Sequence, residues 1–208
     1  MGETSPPSPL MPAGRRSRLD HGGPPLPIPG SMDGMTRPPP QEYAPFYETY
    51  VSLVGDGPIV PTLESQGADT LQRLMDVPGE QANHAYAPGK WTLKQVVGHV
   101  VDTERVFGYR LLRAARGDNA TPLAGYDDEG WARTWKVDSL RLSALAAEFG
   151  AVRTSTLFLL RHLDEVDWTR RVQANGATFT VRALAFIIAG HELHHRRILE
   201  TRYLSELP

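Results

Sequence analysis

Three histidines fall within five residues in the stretch GHELHHRRIL, residues 190–199. Each helical residue advances about 100°, so with His191 at zero, His195 lies about 40° to one side and His194 about 60° to the other. Leu184, Ile187, Ile188 and Ile198 lie within about 60° of the same line, which makes it an apolar, inward stripe. Side chains at i and i+4 have Cβ atoms about 5–6 Å apart. Two imidazoles so placed can reach one ion at about 2.0–2.1 Å. His191 and His195 form that pair. His194, at the stripe's edge, is left for a surface or supporting role. A lone histidine on an apolar face is usually a satisfied core residue, but each buried ring without a partner costs about 1–3 kcal/mol. Two on one face therefore suggest a shared partner, and a divalent metal is one. The chain has no cysteine, so any metal must be held by His, Asp or Glu.

The same residues spell His-Glu-Leu-His-His, the H-E-x-x-H pattern of zinc metalloproteases, with Glu192 as general base. Such enzymes usually take a further ligand downstream. Only 13 residues follow His195, including Glu200 and Glu206 but no histidine. Glu200 lies about 140° round the helix from His195. A third ligand is therefore expected upstream, at His99 in KWTLKQVVGHVVDTERVF. Gln95, Val96, Asp102, Thr103 and Val106 share its face, and the apolar stripe of Leu93, Val97, Val100, Phe107 and Leu111 is centred roughly 120° away. That places His99 at the edge of the buried face, where a pocket wall would be. His84, His162 and His21 read as structural or surface residues.

Several neighbours have two readings each. Glu104 falls within the apolar stripe, and a buried carboxylate needs a partner or a raised pKa. An ion pair with an arginine from another helix is expected, with a proton-carrying or ligand-supporting role as the alternative. Asp102 is closer to the His99 face and could orient an imidazole, act as general base, or simply be solvated. Arg105, Arg110, Arg113 and Arg116 read as a solvated face near the negative helix end, or as an anion site for an acidic thiol. Tyr126, Asp127 and Asp128, in a long connection, are candidates for a pocket lid. Phe186 and Leu193 point away from the ligand stripe, towards a neighbouring helix or a dimer contact.

The elements that must position these residues are helical. Residues 1–40 hold 11 of the 18 prolines, which rules out a helix and a core there and predicts a disordered Pro/Gly-rich tail. The domain is expected over 41–208. Helical patterns run over 42–54, over 62–77 with Thr62 as N-cap, and over 91–118, capped by Thr92 and closed by Gly117. Further patterns run over 138–166, started by Asp138 or Ser139, and from about 182 to 203. Residues 118–136 read as a connection with one helical turn. Asn175-Gly176 signals a type I′ hairpin before the last helix. The expected architecture is an all-α, up-and-down four-helix bundle with a short β-hairpin. No run of about 18 apolar residues predicts a membrane span, and a net charge of −2 argues against nucleic-acid binding.

WTLKQVVGHVVDTER (91–105), ARGD (115–118) with TPLAGYD (121–127), and HELHH (191–195) together resemble the DinB-like superfamily, also called the DinB/YfiT-type metal-dependent hydrolases. The resemblance covers roughly residues 41–205. It implies a four-helix bundle with a three-histidine metal site, which carries over to His99, His191 and His195. It also implies Zn or Ni as the occupant, with Fe and Mn as alternatives, and a homodimer. The activities it implies are thiol-dependent transfers or hydrolysis of a small molecule, in some cases with a low-molecular-weight thiol as co-substrate. Three neutral imidazoles leave a divalent ion its full charge and an open position, the arrangement of catalytic sites. A cytoplasmic metal-dependent enzyme is the expectation, with Asp102, Glu104 and Glu192 as supporting candidates. Two other readings stand beside it: a non-catalytic metal-binding stress-response or scaffold bundle, and a zinc metalloprotease.

Overall fold

The computed structural model describes residues 36–204; residues 1–35 of the Pro/Gly-rich stretch, His21 and Glu206 lie outside them. Six helices and one hairpin make up the described body: α1 (Glu48–Val51), α2 (Ile59–Asp76), α3 (Leu93–Ala115), α4 (Asp128–Thr134), α5 (Leu142–Arg161), β1 (Arg171–Ala174), β2 (Ala177–Thr180) and α6 (Val181–Ile198). Among the described residues no helix is long and apolar enough to cross a membrane.

Local chemistry sets most of these boundaries. Thr92 and Gln95 form a capping box at the start of α3: the Thr92 hydroxyl accepts from the Gln95 N–H at 3.2 Å, and Gln95 Oε1 accepts from the Thr92 N–H at 2.8 Å. The far end of α3 closes in a Schellman motif, with Gly117 N–H on the Ala114 carbonyl and Asp118 N–H on that of Arg113. Asn175 and Gly176, at φ 50° and 75°, supply the two left-handed residues of a type I′ turn, which pairs Val172 with Phe179. Thr180 caps α6, accepting from the Ala183 N–H at 3.0 Å.

Other boundaries differ from expectation. α2 begins at Ile59, so Thr62 is inside the helix and its hydroxyl donates back to the Pro58 carbonyl at 2.9 Å. Pro61 permits this because first-turn N–H groups have no intrahelical partner to lose. Residues 137–139 form a separate 3₁₀ turn, so neither Asp138 nor Ser139 caps α5, which starts at Leu142. The expected helix over 42–54 is broken by Pro45 into 3₁₀ turns and the short α1. The connection after α3 holds α4, capped by Asp127, in place of a single turn.

The four long helices, α2, α3, α5 and α6, form the bundle. α2 packs on α5, α5 on α3, α3 on α6, and α6 on α2. α2 and α3, successive in the chain, thus stand across the bundle. That order sets α3 beside α6 although 92 residues separate His99 from His191. Leu63, Leu111, Phe179, Leu184 and Ile187 are fully buried between the layers. Phe186 is fully buried too, and Leu193 packs against the same core, so both serve the fold's interior.

α1 lies directly on α6 at Gly190. A Cβ there would overlap the Tyr50 carbonyl, which is backbone and cannot swing aside. Gly190→Ala is therefore expected to cost about 3 kcal/mol, the upper part of the overpacking range. Urea denaturation checks this, and an unchanged midpoint would mean that α1 shifts freely.

Candidate metal centre

α3 and α6 face each other along one stripe, and three imidazoles meet there. His99 Nε2 and His191 Nε2 lie 3.0 Å apart. The ring of His195 has its centroid 4.7 Å from that of His99 and 4.5 Å from that of His191. One nitrogen from each of the three falls within 4.8 Å of the others. His194 stays outside this set; its ring rests edge-on against Tyr50, with centroids 5.5 Å apart.

The donor set fits a divalent ion. Metal ligation needs unprotonated imidazoles, and burial favours that form at this site. Burial pushes the pKa of His191 well below the ordinary 6.5, reinforced by His195, His99 and His194. Burial likewise takes His195 down to about 3, with His99 and His194 adding to it. His99 is lowered by burial, partly countered by the charge of Asp128. His195 Nδ1 is buried with no hydrogen-bond partner among the described residues. Tyr50 braces His191 edge-on at 5.3 Å, and Trp91 lies over His99 at 5.0 Å.

The carboxylates suggested by sequence are placed elsewhere. Asp102 accepts from Arg105 at 3.2 Å; burial raises its pKa and Arg105 lowers it. Glu104 receives a bidentate pair from Arg153 of α5 at 2.9 Å, so the expected arginine from another helix is Arg153. Glu192 is bound by Arg153 and Gln66, both at 2.6 Å. No hydrogen bond among the described residues joins Asp102, Glu104 or Glu192 to the three imidazoles. Arg153 and Gln66 both take Glu192 Oε2, while Oε1 is buried without a hydrogen-bond partner among the described residues, and neither oxygen is bonded to an imidazole. Glu200 pairs with Arg73 at 3.1 Å and is no downstream ligand.

The imidazoles line one side of an open cavity of about 310 Å³. Tyr47, Tyr50, Trp91 and Phe107 wall it, and Tyr126 and Asp128 border it, as expected of the loop that carries them. The hairpin fixes that loop: Leu123 N–H donates to the Gln173 carbonyl and Asn175 N–H to the Leu123 carbonyl, both at 2.9 Å. Tyr126 then meets the Thr103 hydroxyl at 2.9 Å, and its own pKa is pushed up to about 12, mainly by burial. Asp127 caps α4 and does not line the cavity.

Sequence reasoning grouped Arg110 with Arg105, Arg113 and Arg116, as a solvated face or an anion site; Arg110 is 2% exposed and lines this cavity. The missed signal is angular: eleven residues past His99 is about 20° round the helix, the same face. The aromatic wall from residues 46–50 had no sequence signal, because it depends on α1 folding back over α6.

Comparisons with known proteins agree with this fold. The sequence profile described as the DinB superfamily matches residues 62–199. A protein of Oceanobacillus iheyensis, assigned by inference as a metal-dependent hydrolase, is 26% identical over 123 residues, 59% of this chain and 70% of its own. YfiT from Bacillus subtilis, described as a metal-dependent hydrolase by inference with an unusual four-helix bundle topology, superposes with a TM-score of 0.56 at 19% identity. The match covers 68% of this chain and 84% of that one. A mycothiol-dependent maleylpyruvate isomerase gives 0.57 at 14% identity, over 72% and 63% of the two chains. At such identities the two structures speak to the fold. The profile match runs through His99 on α3 and through His191 and His195 on α6, and the chain belongs to the DinB superfamily.

Proposed function

We propose that this protein is a metal-dependent enzyme that holds one divalent ion through His99, His191 and His195 and acts on a small molecule by hydrolysis or thiol transfer. The observation that carries the reading is the convergence of three imidazoles on one side of an open cavity. When bound, such an ion supplies Lewis acidity, which makes a coordinated water or thiol nucleophilic near neutral pH. Zn or Ni suits an all-imidazole set better than the harder, oxygen-preferring ions, with Fe and Mn as alternatives.

The chain's own residues supply the rest. Tyr50 and Trp91 limit ring rotation of His191 and His99. Asp128, exposed at the cavity border and outside any ion pair among the described residues, would accept a released proton; its position on the cavity lining supports that role. The hydrolase assignment of the Oceanobacillus relative favours hydrolysis, and the mycothiol dependence of the fold neighbour is the ground for thiol transfer.

Metal content of the full chain, measured by elemental mass spectrometry, is expected to be about one ion per chain. Turnover is then read with a nitrophenyl ester, and with glutathione plus an aryl halide. One of the two should show a rate that a chelator abolishes and added metal restores. An ion whose removal lowers the melting temperature but leaves no rate to lose would point instead to the non-catalytic scaffold.

A further inference from the structure

We infer that Arg110 is the anion-binding residue of the cavity, and that the molecule taken up carries a carboxylate at one end of a planar, apolar body. This rests on reading the cavity as a small-molecule site; it does not require the metal.

Arg110 differs from the other arginines around it. Arg105 pairs with Asp102 and Glu148, Arg113 with Asp118, and Arg153 with Glu104 and Glu192. Arg110 is as buried as Arg153, yet no carboxylate of the described residues lies within 4.0 Å of its nitrogens. Its contacts are one hydrogen bond, from Nη2 to the Ala124 carbonyl at 3.3 Å, and two ring faces, Phe107 at 5.0 Å and Tyr126 at 5.9 Å. A guanidinium has five N–H donors and stays charged throughout the ordinary pH range. Burying that charge without an opposite one is costly. The surface left open to it is the cavity it shares with the histidines. Asp128, the carboxylate on the same cavity, is exposed at the border, where its hydrogen bond is to the Glu129 N–H.

Position along the helix sets the shape of the ligand. Eleven residues separate Arg110 from His99, a rise of about 16 Å between Cα atoms. The gap between functional groups is shorter, because both side chains lean towards the N-terminus and Arg110, the longer of the two, reaches further back towards His99. Phe107, Tyr47 and Tyr126 line the cavity with ring faces and edges. A ligand that reaches both ends presents its anion to Arg110 and its reacting group to the imidazoles, with a flat apolar spacer between them. The planar fork of Arg110 matches the two oxygens of a carboxylate.

The test compares 3-phenylpropionate with its neutral isostere 3-phenylpropanamide by titration calorimetry. The full-length protein is used both metal-loaded and chelator-treated. The acid is expected to bind both forms, and Arg110→Met to weaken it by about 10- to 100-fold in both, the scale of a lost charged hydrogen bond. Arg110→Lys, which keeps charge but loses the fork, should weaken it less. The amide should bind the wild type and Arg110→Met alike, which also shows that the variant is folded. Equal binding of acid and amide would overturn the inference, as would no binding of the acid at all. Acid binding that vanishes on chelation and ignores Arg110→Met would overturn it too, while leaving the metal reading intact. Acid binding that depends on Arg110 in a protein that takes up no metal would uphold it and sink the metal reading instead.

Discussion

Arg153→Ala is expected to remove about 3–5 kcal/mol of stability, the cost of stranding a buried charge. Arg153 stands on α5 and touches each of the other three bundle helices. It donates to Glu104 of α3 at 2.9 Å, to Glu192 of α6 at 2.6 Å, and to the Leu63 carbonyl of α2 at 2.9 Å. Burial works against its charge, but the two carboxylates outweigh that and raise its pKa above the usual value. Without it, Glu104 and Glu192 are left buried, at 3% and 2% exposure, with no cation between them. The exposed pair of Arg105 and Glu148 has no such leverage, since pairs of that kind are worth about 0–1 kcal/mol. A triple variant, Arg153→Met with Glu104→Leu and Glu192→Leu, separates the two contributions. It deletes charge and counter-charge together and is expected to lie near wild type, because apolar replacement of a buried network is often neutral or better. Urea denaturation of the two proteins decides. A single variant within about 1 kcal/mol of wild type would mean that water reaches the carboxylates.

This network also shows where sequence reasoning stops. Glu104 announces itself as a carboxylate on an apolar stripe, and its need for an arginine follows from charge alone. Which arginine answers depends on α5 lying between α2 and α3, an order that no local pattern encodes. The same split holds at the metal centre. His191 and His195 are one helical turn apart, so their meeting is a local fact that periodicity reveals. His99 joins them because α3 packs beside α6, and the sequence placed it only at a pocket edge. Thr92-x-x-Gln95 and Asn175-Gly176 were legible because capping and turn chemistry act within four residues. Thr62 misled because Pro61 looks like a helix breaker, although in a first turn it breaks nothing. Arg110 was grouped with the other arginines of the same helix; only its angular match to His99 distinguishes it.

His191→Ala and His99→Ala are each expected to lower metal affinity by about 10²–10³-fold. Structural Zn sites with four ligands bind with roughly 10–16 kcal/mol, or about 2.5–4 kcal/mol per ligand. His194→Ala, outside the convergent set, should keep wild-type stoichiometry. Elemental analysis after dialysis against a weak chelator reads all three. Metal loss in His194→Ala, with retention in His195→Ala, would reverse the assignment on α6.

Acid gives an independent arm. His195 has a pKa of about 3 when folded, against the ordinary 6.5. Between those values the unfolded chain takes up a proton that the folded chain refuses. Its contribution to stability is therefore complete above pH 6.5 and is lost as the pH falls towards 3. Metal binds only the folded, deprotonated site, so the loaded protein should resist acid better than the chelated one. His195→Ala should make the acid limb of the chelated protein less steep, because one of the groups that take up a proton on unfolding is gone while His191 and His99 remain. If wild type and His195→Ala lose stability in parallel from pH 6.5 down, burial is not what keeps this imidazole neutral, and the preorganised site argued from it fails.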